Sequence, residues 1–159
     1  QLALELDLRK ALAREEFEPF FQDIVELESG RCVGYEALMR WRHPSRGLLA
    51  PGEFLHVAED SGMIEAIDWQ IFQRSCTALA RMPGSAFITL NVSPRHFANE
   101  DFADRLVALI EASGLKPSRV HIELTEGTLL RNPERVRQAL EEARLRAMAS
   151  LLHRKKKKE

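Results

Sequence analysis

The chain has 159 residues, of which 45% are hydrophobic and 30% are charged, as expected of a globular protein with a sizeable core. Its 23 basic and 24 acidic residues leave a formal net charge of −1, so the bulk charge predicts neither a nucleic acid nor an anionic membrane as a partner. No signal peptide and no apolar run of membrane-spanning length is recognisable, which predicts a cytoplasmic protein. Cys32 and Cys76 fit no metal-binding spacing and are interpreted as free thiols, with a disulfide as the less favoured alternative.

The first two predicted elements are a helix and a β-hairpin. Residues Leu2 to Glu16 carry leucines at helical spacing, and this helix is either the end of a linker from a neighbouring domain or the first helix of this one. The segments Glu18 to Leu27 and Cys32 to Leu38 are rich in strand-forming residues and flank the turn Glu28 to Arg31. They are predicted to pair as antiparallel strands.

Beyond the hairpin, helices are predicted to alternate with strands. The sequence first indicates a loop from Arg42 to Ala50, a helix from Pro51 to about Asp60 and a helix from Met63 to Arg81. A strand from Ala86 to Val92 is followed by a helix from about Glu100 to Ser113, which Asn99 is predicted to cap. The last elements are a strand from Val120 to Thr125 and a helix from Asn132. This alternation is typical of α/β folds in which parallel strands are flanked by helices.

The second hairpin strand carries a candidate site. Glu36, Leu38 and Arg40 occupy alternate positions, so they share one face of the strand. An acid and a cation placed in this way suit a metal ion and the phosphate bound to it. An ordinary surface ion pair is the simpler interpretation, and these residues alone favour it.

Oxygen-bearing side chains recur at three predicted strand ends. Glu36 closes the hairpin strand, Asn91 ends the next strand, and Glu123 with Glu126 ends the third. Sites in α/β folds lie beyond the carboxyl ends of the parallel strands. Carboxylate and amide oxygens are hard ligands that suit Mg²⁺, Mn²⁺ or Ca²⁺ better than Zn²⁺.

Each of these residues also has a purely structural interpretation. Asn91 can cap the turn that follows it, Glu123 can pair with Arg119 or His121, and Glu126 can accept backbone N–H groups. The recurrence at three successive strand ends nevertheless favours a shared site.

Five sequence strings then occur in a characteristic order. They are Phe21 to Ile24, GYEALMRW from Gly34 to Trp41, the stretch from His43 to Ile64, NVSPRHF from Asn91 to Phe97, and IELTEGTLL from Ile122 to Leu130. These strings resemble the EAL domain family, which is named for its Glu-Ala-Leu motif and hydrolyses the bacterial second messenger cyclic di-GMP. The resemblance runs from about Phe17 to about Arg146. It implies a TIM-type (β/α) barrel whose first strand runs opposite to the others.

The resemblance also implies roles for individual residues. Residues that match ligands of Mg²⁺ or Mn²⁺ are Glu36, Asn91 and Glu123. Residues that match substrate contacts are Gln22, Leu38 and Arg40, with Arg40 on a phosphate. Glu126 matches a glutamate that steadies a loop near the metals. The implied reaction is metal-assisted attack of water on one phosphodiester bond, which converts cyclic di-GMP to linear pGpG. Asp23 stands where the family usually has proline.

The later part of the family pattern is not found. A TIM barrel takes about 200 residues or more, and the family continues with two adjacent metal-binding aspartates and then a lysine, a glutamate and a glutamine that finish the site. These 159 residues contain no Asp-Asp pair. We therefore predict an incomplete barrel that is inactive by itself and that binds Mg²⁺ or Mn²⁺ weakly or not at all. The alternatives are a non-catalytic cyclic di-GMP-binding or protein-interaction module, and an enzyme completed by a different polypeptide.

The predicted organisation has three segments. Residues 1–16 form the N-terminal helix or linker end, residues 17–146 form the truncated EAL-type domain, and residues 147–159 form a helical extension with a basic tail. The last helix is predicted to continue through Ala147 to Leu152, because alanine, methionine and leucine favour helices. The run Lys155 to Lys158 is interpreted as a solvated tail rather than a site for an anionic partner. An incomplete barrel exposes a strand edge, which predicts self-association.

Overall fold

The fold is an open mixed sheet with helices packed against it. The computed structural model describes residues 2–131, 133–143 and 146–149. The helices are α1 (Leu2–Arg14), α2 (Leu55–Asp60), α3 (Ile64–Ala80), α4 (Phe102–Ala112), α5 (Glu126–Arg131) and α6 (Pro133–Ala143). The strands are β1 (Phe17–Val25), β2 (Cys32–His43), β3 (Gly47–Leu49), β4 (Phe87–Asn91), β5 (Val120–Leu124) and β6 (Arg146–Ala149).

The strand order confirms the predicted α/β class. The main path is β1-β2-β4-β5-β6, and β3 pairs with β2 at the side. β1 runs antiparallel to β2, whereas β2, β4, β5 and β6 are mutually parallel. The hairpin turn closes through the Glu26 carbonyl, which accepts the Gly30 N–H at 2.8 Å while Gly30 takes a φ of +69°. The sheet therefore has the hairpin-first, then parallel, arrangement of a partial barrel.

The core lies in two clusters on the helical side of the strands. The larger one joins β4 and β5 to α3 and α4 through buried residues such as Ile88, Leu90 and Leu106. The smaller one joins α1 to the start of β1, the end of β2 and α2. In it Leu8 of α1 is fully buried, and the Gln70 side chain donates to the Leu12 carbonyl at 2.7 Å. The first helix thus contributes to the same core as the hairpin.

Two predicted elements between the hairpin and α3 differ from the structure. β2 continues to His43, and the predicted loop from Arg42 to Ala50 contains β3, which folds back on β2. His43 closes that turn, because its Nδ1 accepts the backbone N–H groups of Ser45 at 3.2 Å and Arg46 at 3.1 Å. The helix predicted from Pro51 is interrupted at Phe54, whose φ of −141° separates a short 3-10 turn from α2.

The helix boundaries at Asn99 and after Leu124 also differ. The prediction that Asn99 caps α4 is wrong, because its side chain donates to Glu65 Oε2 at 3.0 Å and the helix starts at Phe102. A six-residue helix, α5, was not predicted. Thr125 supports its first turn, since its hydroxyl accepts the Thr128 N–H at 3.3 Å.

The largest correction concerns the predicted continuation of the last helix. α6 ends at Ala143, and residues Arg146–Ala149 form β6, which pairs in parallel with β5. The helical prediction is wrong over these four residues. Backbone groups on a strand edge need partners, and that requirement outweighs helix propensities that differ by only about 0.7 kcal/mol per residue among ordinary residues. The rest of the predicted extension and the lysine run lie outside the described residues.

None of the helices in the described part of the chain has the length and apolar character that a bilayer crossing demands.

Gly34 is expected to tolerate no side chain. A Cβ built on Gly34 lies 2.8 Å from both the ring and the carbonyl oxygen of Phe87, its partner on β4. We expect Gly34→Ala to lower the free energy of unfolding by about 1–3 kcal/mol, because the added methyl overpacks the β2–β4 contact. Urea denaturation measures this. Gly52→Ala is the matched control, since nothing lies within 4 Å of its Cβ position. Equal effects of the two substitutions would contradict the packing argument.

Candidate metal and phosphate site

The structure brings together the three residues predicted to bind a metal. Asn91, the last residue of β4, is in register with Glu123 of β5, and Glu36 of β2 is in register with Thr89, two residues before Asn91. The Asn91 Nδ2 group donates to Glu36 Oε2 at 3.4 Å and to the Ala37 carbonyl at 3.1 Å. Glu36 lies inside β2 rather than at its end, but the parallel ladder to β4 stops at Ala37. We call this end of the parallel strands the carboxyl edge.

The donor set at the carboxyl edge fits a hard divalent cation. Glu36 and Glu123 are 1% and 5% exposed, so two carboxylates are buried close to one amide. Burying carboxylate charge is costly unless it is compensated, and a Mg²⁺ or Mn²⁺ ion is one means of compensation. Within the described ranges, no group of three His, Cys, Asp or Glu side chains could hold a metal. Among the described residues, Asn91 is the amide that accompanies the two glutamates at this edge.

The predicted substrate contacts lie on the same face as Glu36. In the β1–β2 ladder Gln22 is directly opposite Glu36, and Leu38 and Arg40 follow Glu36 at alternate positions of β2. The Arg40 Nη1 group donates to the Met39 carbonyl at 2.8 Å. Among the described residues Arg40 has no carboxylate within ion-pair distance, so the alternative of a Glu36–Arg40 ion pair is not observed. The face therefore combines acids, an amide and an unneutralised cation.

Glu126 lies at the first position of α5, immediately beyond β5, and is exposed. The alternative interpretation is that Glu126 accepts backbone N–H groups. The Thr128 N–H does not require this, because the Thr125 hydroxyl already accepts it. Arg119, one predicted partner of Glu123, donates instead to the Ala86 carbonyl at 2.9 Å. The loop-supporting role of Glu126 stays a prediction.

A buried acid–imidazole pair next to the carboxyl edge was not predicted. His96 Nε2 lies 3.0 Å from Asp68 Oδ2, and the same oxygen accepts the Ser93 N–H at 3.3 Å. Both side chains are almost fully buried, and burial raises the pKa of Asp68 above its usual value. The pair ties the segment that follows Asn91 to α3. A sequence signal existed, because Asp68 falls beside Ile67 and Ile71 on the apolar face of a predicted helix.

The two cysteines are free, with Cys32 exposed and Cys76 buried. Burial raises the pKa of the Cys76 thiol to about 12, which makes it an inert core residue.

The open sheet, with buried oxygen ligands at its carboxyl edge, defines an α/β domain of the partial-barrel type that carries a candidate metal and phosphate site. The profile of the EAL domain matches residues 5–150, from within α1 through β6. This chain belongs to the EAL domain family. The match is wider at both ends than the range from about Phe17 to about Arg146 over which the sequence strings resemble the family.

Individual relatives agree with this assignment. The cyclic di-GMP phosphodiesterase RocR of Pseudomonas aeruginosa is 33% identical over 130 residues, which are 80% of this chain and 33% of RocR. A solved structure described as the PaMucR phosphodiesterase in complex with c-di-GMP is 33% identical with a TM-score of 0.81, and the match covers 89% of this chain and 59% of that one. The EAL enzyme Bd1971, solved with cAMP and cyclic di-GMP, is 28% identical with a TM-score of 0.83, and the match covers 93% and 43%.

The chain spans a third or less of the length of the first curated relatives that it matches. It also spans about three fifths of the PaMucR chain. These matches therefore cover only part of each relative.

Proposed function

We propose that the carboxyl edge is the first half of a cyclic di-GMP site, in which Glu36, Asn91 and Glu123 hold Mg²⁺ or Mn²⁺. The single observation that carries this proposal is the position of Asn91, which bonds to Glu36 and is in register with Glu123. Gln22, Leu38 and Arg40 would contact the dinucleotide from the same face. The names of RocR and of the PaMucR complex support the choice of ligand.

Each residue of this chain has a distinct task in the proposal. Arg40 donates charge-assisted hydrogen bonds to a phosphate, for which its planar guanidinium is well suited. The Gln22 amide both donates and accepts hydrogen bonds, and Leu38 supplies an apolar contact. The two buried glutamates and Asn91 would hold the metal ion, which when bound would supply charge neutralisation at the phosphate and activation of water. In the family reaction water adds to one phosphorus, one P–O bond breaks, and cyclic di-GMP opens to pGpG.

These residues are proposed to bind the dinucleotide without turning it over at an appreciable rate. The family places two adjacent aspartates on both metals, and the 159 residues contain no Asp-Asp pair. Of the two non-catalytic alternatives, the unneutralised Arg40 favours a cyclic di-GMP-binding module, whereas a protein-interaction module would need no dinucleotide and is the second candidate. Self-association also stays a proposal. It is supported by β1 and β6, each of which has one neighbouring strand among the described residues.

Glu36→Gln tests the metal assignment. We expect it to weaken Mn²⁺-dependent binding of cyclic di-GMP by about tenfold or more, because a charged ligand is lost while the shape is kept. Calorimetry with and without Mn²⁺ measures binding, and chromatography of the same samples measures pGpG. Glu28→Gln, in the exposed hairpin turn, is the control.

Each outcome of this experiment separates two of the alternatives. Metal-dependent binding without pGpG supports the proposal. Rapid formation of pGpG would contradict the expected inactivity, and Glu36→Gln would then show whether the same site is responsible. Absence of both binding and turnover by the unmodified chain would overturn the cyclic di-GMP assignment and leave the interaction module.

A further inference from the structure

Phe20 lies beside the predicted dinucleotide contacts but carries no role in the family resemblance. It is opposite Leu38 in the β1–β2 ladder, so its ring is on the face that carries Gln22 and Arg40. The side chain is 39% exposed, which is high for a phenylalanine in a strand. The Arg40 guanidinium carbon lies over this ring, 5.7 Å from its centroid. This arrangement is a cation–π contact.

The surroundings of Arg40 explain why that contact matters. Glu18 is directly opposite Arg40 in the ladder, yet it forms its ion pair with Arg42. Arg40 is therefore held by the Phe20 ring and the Met39 carbonyl, and within the described residues no acidic side chain neutralises it. A guanidinium held on an aromatic ring and left without a carboxylate is prepared for an external anion.

We propose that Phe20 is a positioning residue for ligand binding, whose ring holds the Arg40 guanidinium ready for a phosphodiester group. The proposal rests on the proposed function of the carboxyl edge. Long cationic side chains lose conformational freedom when they bind, and a side chain that is already held loses less. A partly exposed cation–π contact corresponds to about a two- to fivefold change in affinity.

The chain supplies a matched control for this proposal. Phe21 is the next residue, has the same chemistry and is also 39% exposed, but it points to the opposite face of β1. We expect Phe20→Leu to raise the Kd for cyclic di-GMP, measured by calorimetry with Mn²⁺, by about two- to fivefold. Phe20→Tyr keeps an aromatic ring and should bind as tightly as the unmodified chain. Phe21→Leu should also leave the affinity unchanged.

A second measurement is made without the dinucleotide. A ring face shifts nearby protons upfield, so the Arg40 Nε–H resonance should move downfield in Phe20→Leu and not in Phe21→Leu. Thermal unfolding of the variants reports loss of structure separately. An unchanged Arg40 resonance, or equal loss of affinity in both leucine variants, would overturn the positioning role.

The failure of this inference is distinguishable from failure of the proposed function. If the unmodified chain binds no cyclic di-GMP, the proposed function fails and the ligand-positioning role falls with it, even where the resonance shift shows that Phe20 holds Arg40. If the unmodified chain binds and Phe20→Leu binds equally well, only the role of Phe20 is overturned.

Discussion

Replacement of Trp41 by alanine is expected to lower the free energy of unfolding by about 3–5 kcal/mol. Trp41 is fully buried, and its ring lies 5.5 Å from that of Phe17 and 5.4 Å from that of Phe54. Its indole N–H also donates to Glu16 Oε1 at 3.3 Å. The substitution removes a large apolar surface and leaves a cavity where α1, β1, β2 and α2 meet. Small domains have total free energies of unfolding of only about 5–15 kcal/mol, so the expected loss is a large share of the stability.

Urea unfolding followed by circular dichroism measures this effect. Leu27→Ala is the control, because Leu27 is 93% exposed in the hairpin turn and its substitution should change the stability by less than about 0.5 kcal/mol. Trp41→Phe should fall between the two, since it keeps an aromatic ring but loses the N–H donor. A loss below 1 kcal/mol for Trp41→Ala would mean that the smaller core cluster does not support the domain.

Replacement of Asp68 by alanine is expected to cost about 3 kcal/mol of stability. The Asp68 carboxylate is the partner of both the buried His96 ring and the Ser93 N–H. Its removal leaves the buried His96 ring and the partly buried Ser93 N–H without this partner and loosens the segment that follows Asn91. Asp68→Asn should cost less, because the amide oxygen can still accept a hydrogen bond. A cost of less than about 0.5 kcal/mol for Asp68→Ala would show that the pair is dispensable.

The pH dependence of this pair has a definite sign. Burial raises the pKa of Asp68, so the folded chain holds this proton more tightly than the unfolded chain does. The contribution of the protonated carboxyl to stability is therefore lost as the pH rises from the unfolded pKa of about 3.9 towards the raised folded pKa. The stability of the unmodified chain relative to Asp68→Asn should therefore fall as the pH rises above about 4. A relative stability that rises with pH would contradict the raised pKa.

Local patterns were enough to identify most of the fold and several of the candidate residues. Alternation along β2 placed Glu36, Leu38 and Arg40 on one face before any partner strand was known, because a strand has a fixed two-residue repeat. Helical periodicity located α3 almost to the residue. The motif strings identified the EAL family, which the profile match confirms. The metal and substrate roles stay predictions.

Contacts between distant segments decided the rest. The pairing of Asp68 with His96 joins residues 28 positions apart, and no local repeat specifies such a contact. Asn99 carries a good capping side chain, yet its amide donates to Glu65 on another helix and α4 begins three residues later. Arg146–Ala149 has helix-favouring composition but forms a strand, because the edge of β5 offers a ladder. The sequence by itself determined which residues lie on which face, since that depends on a local repeat. The tertiary structure alone decided their partners and the ends of several elements, since those depend on free energies shared between segments far apart in the chain.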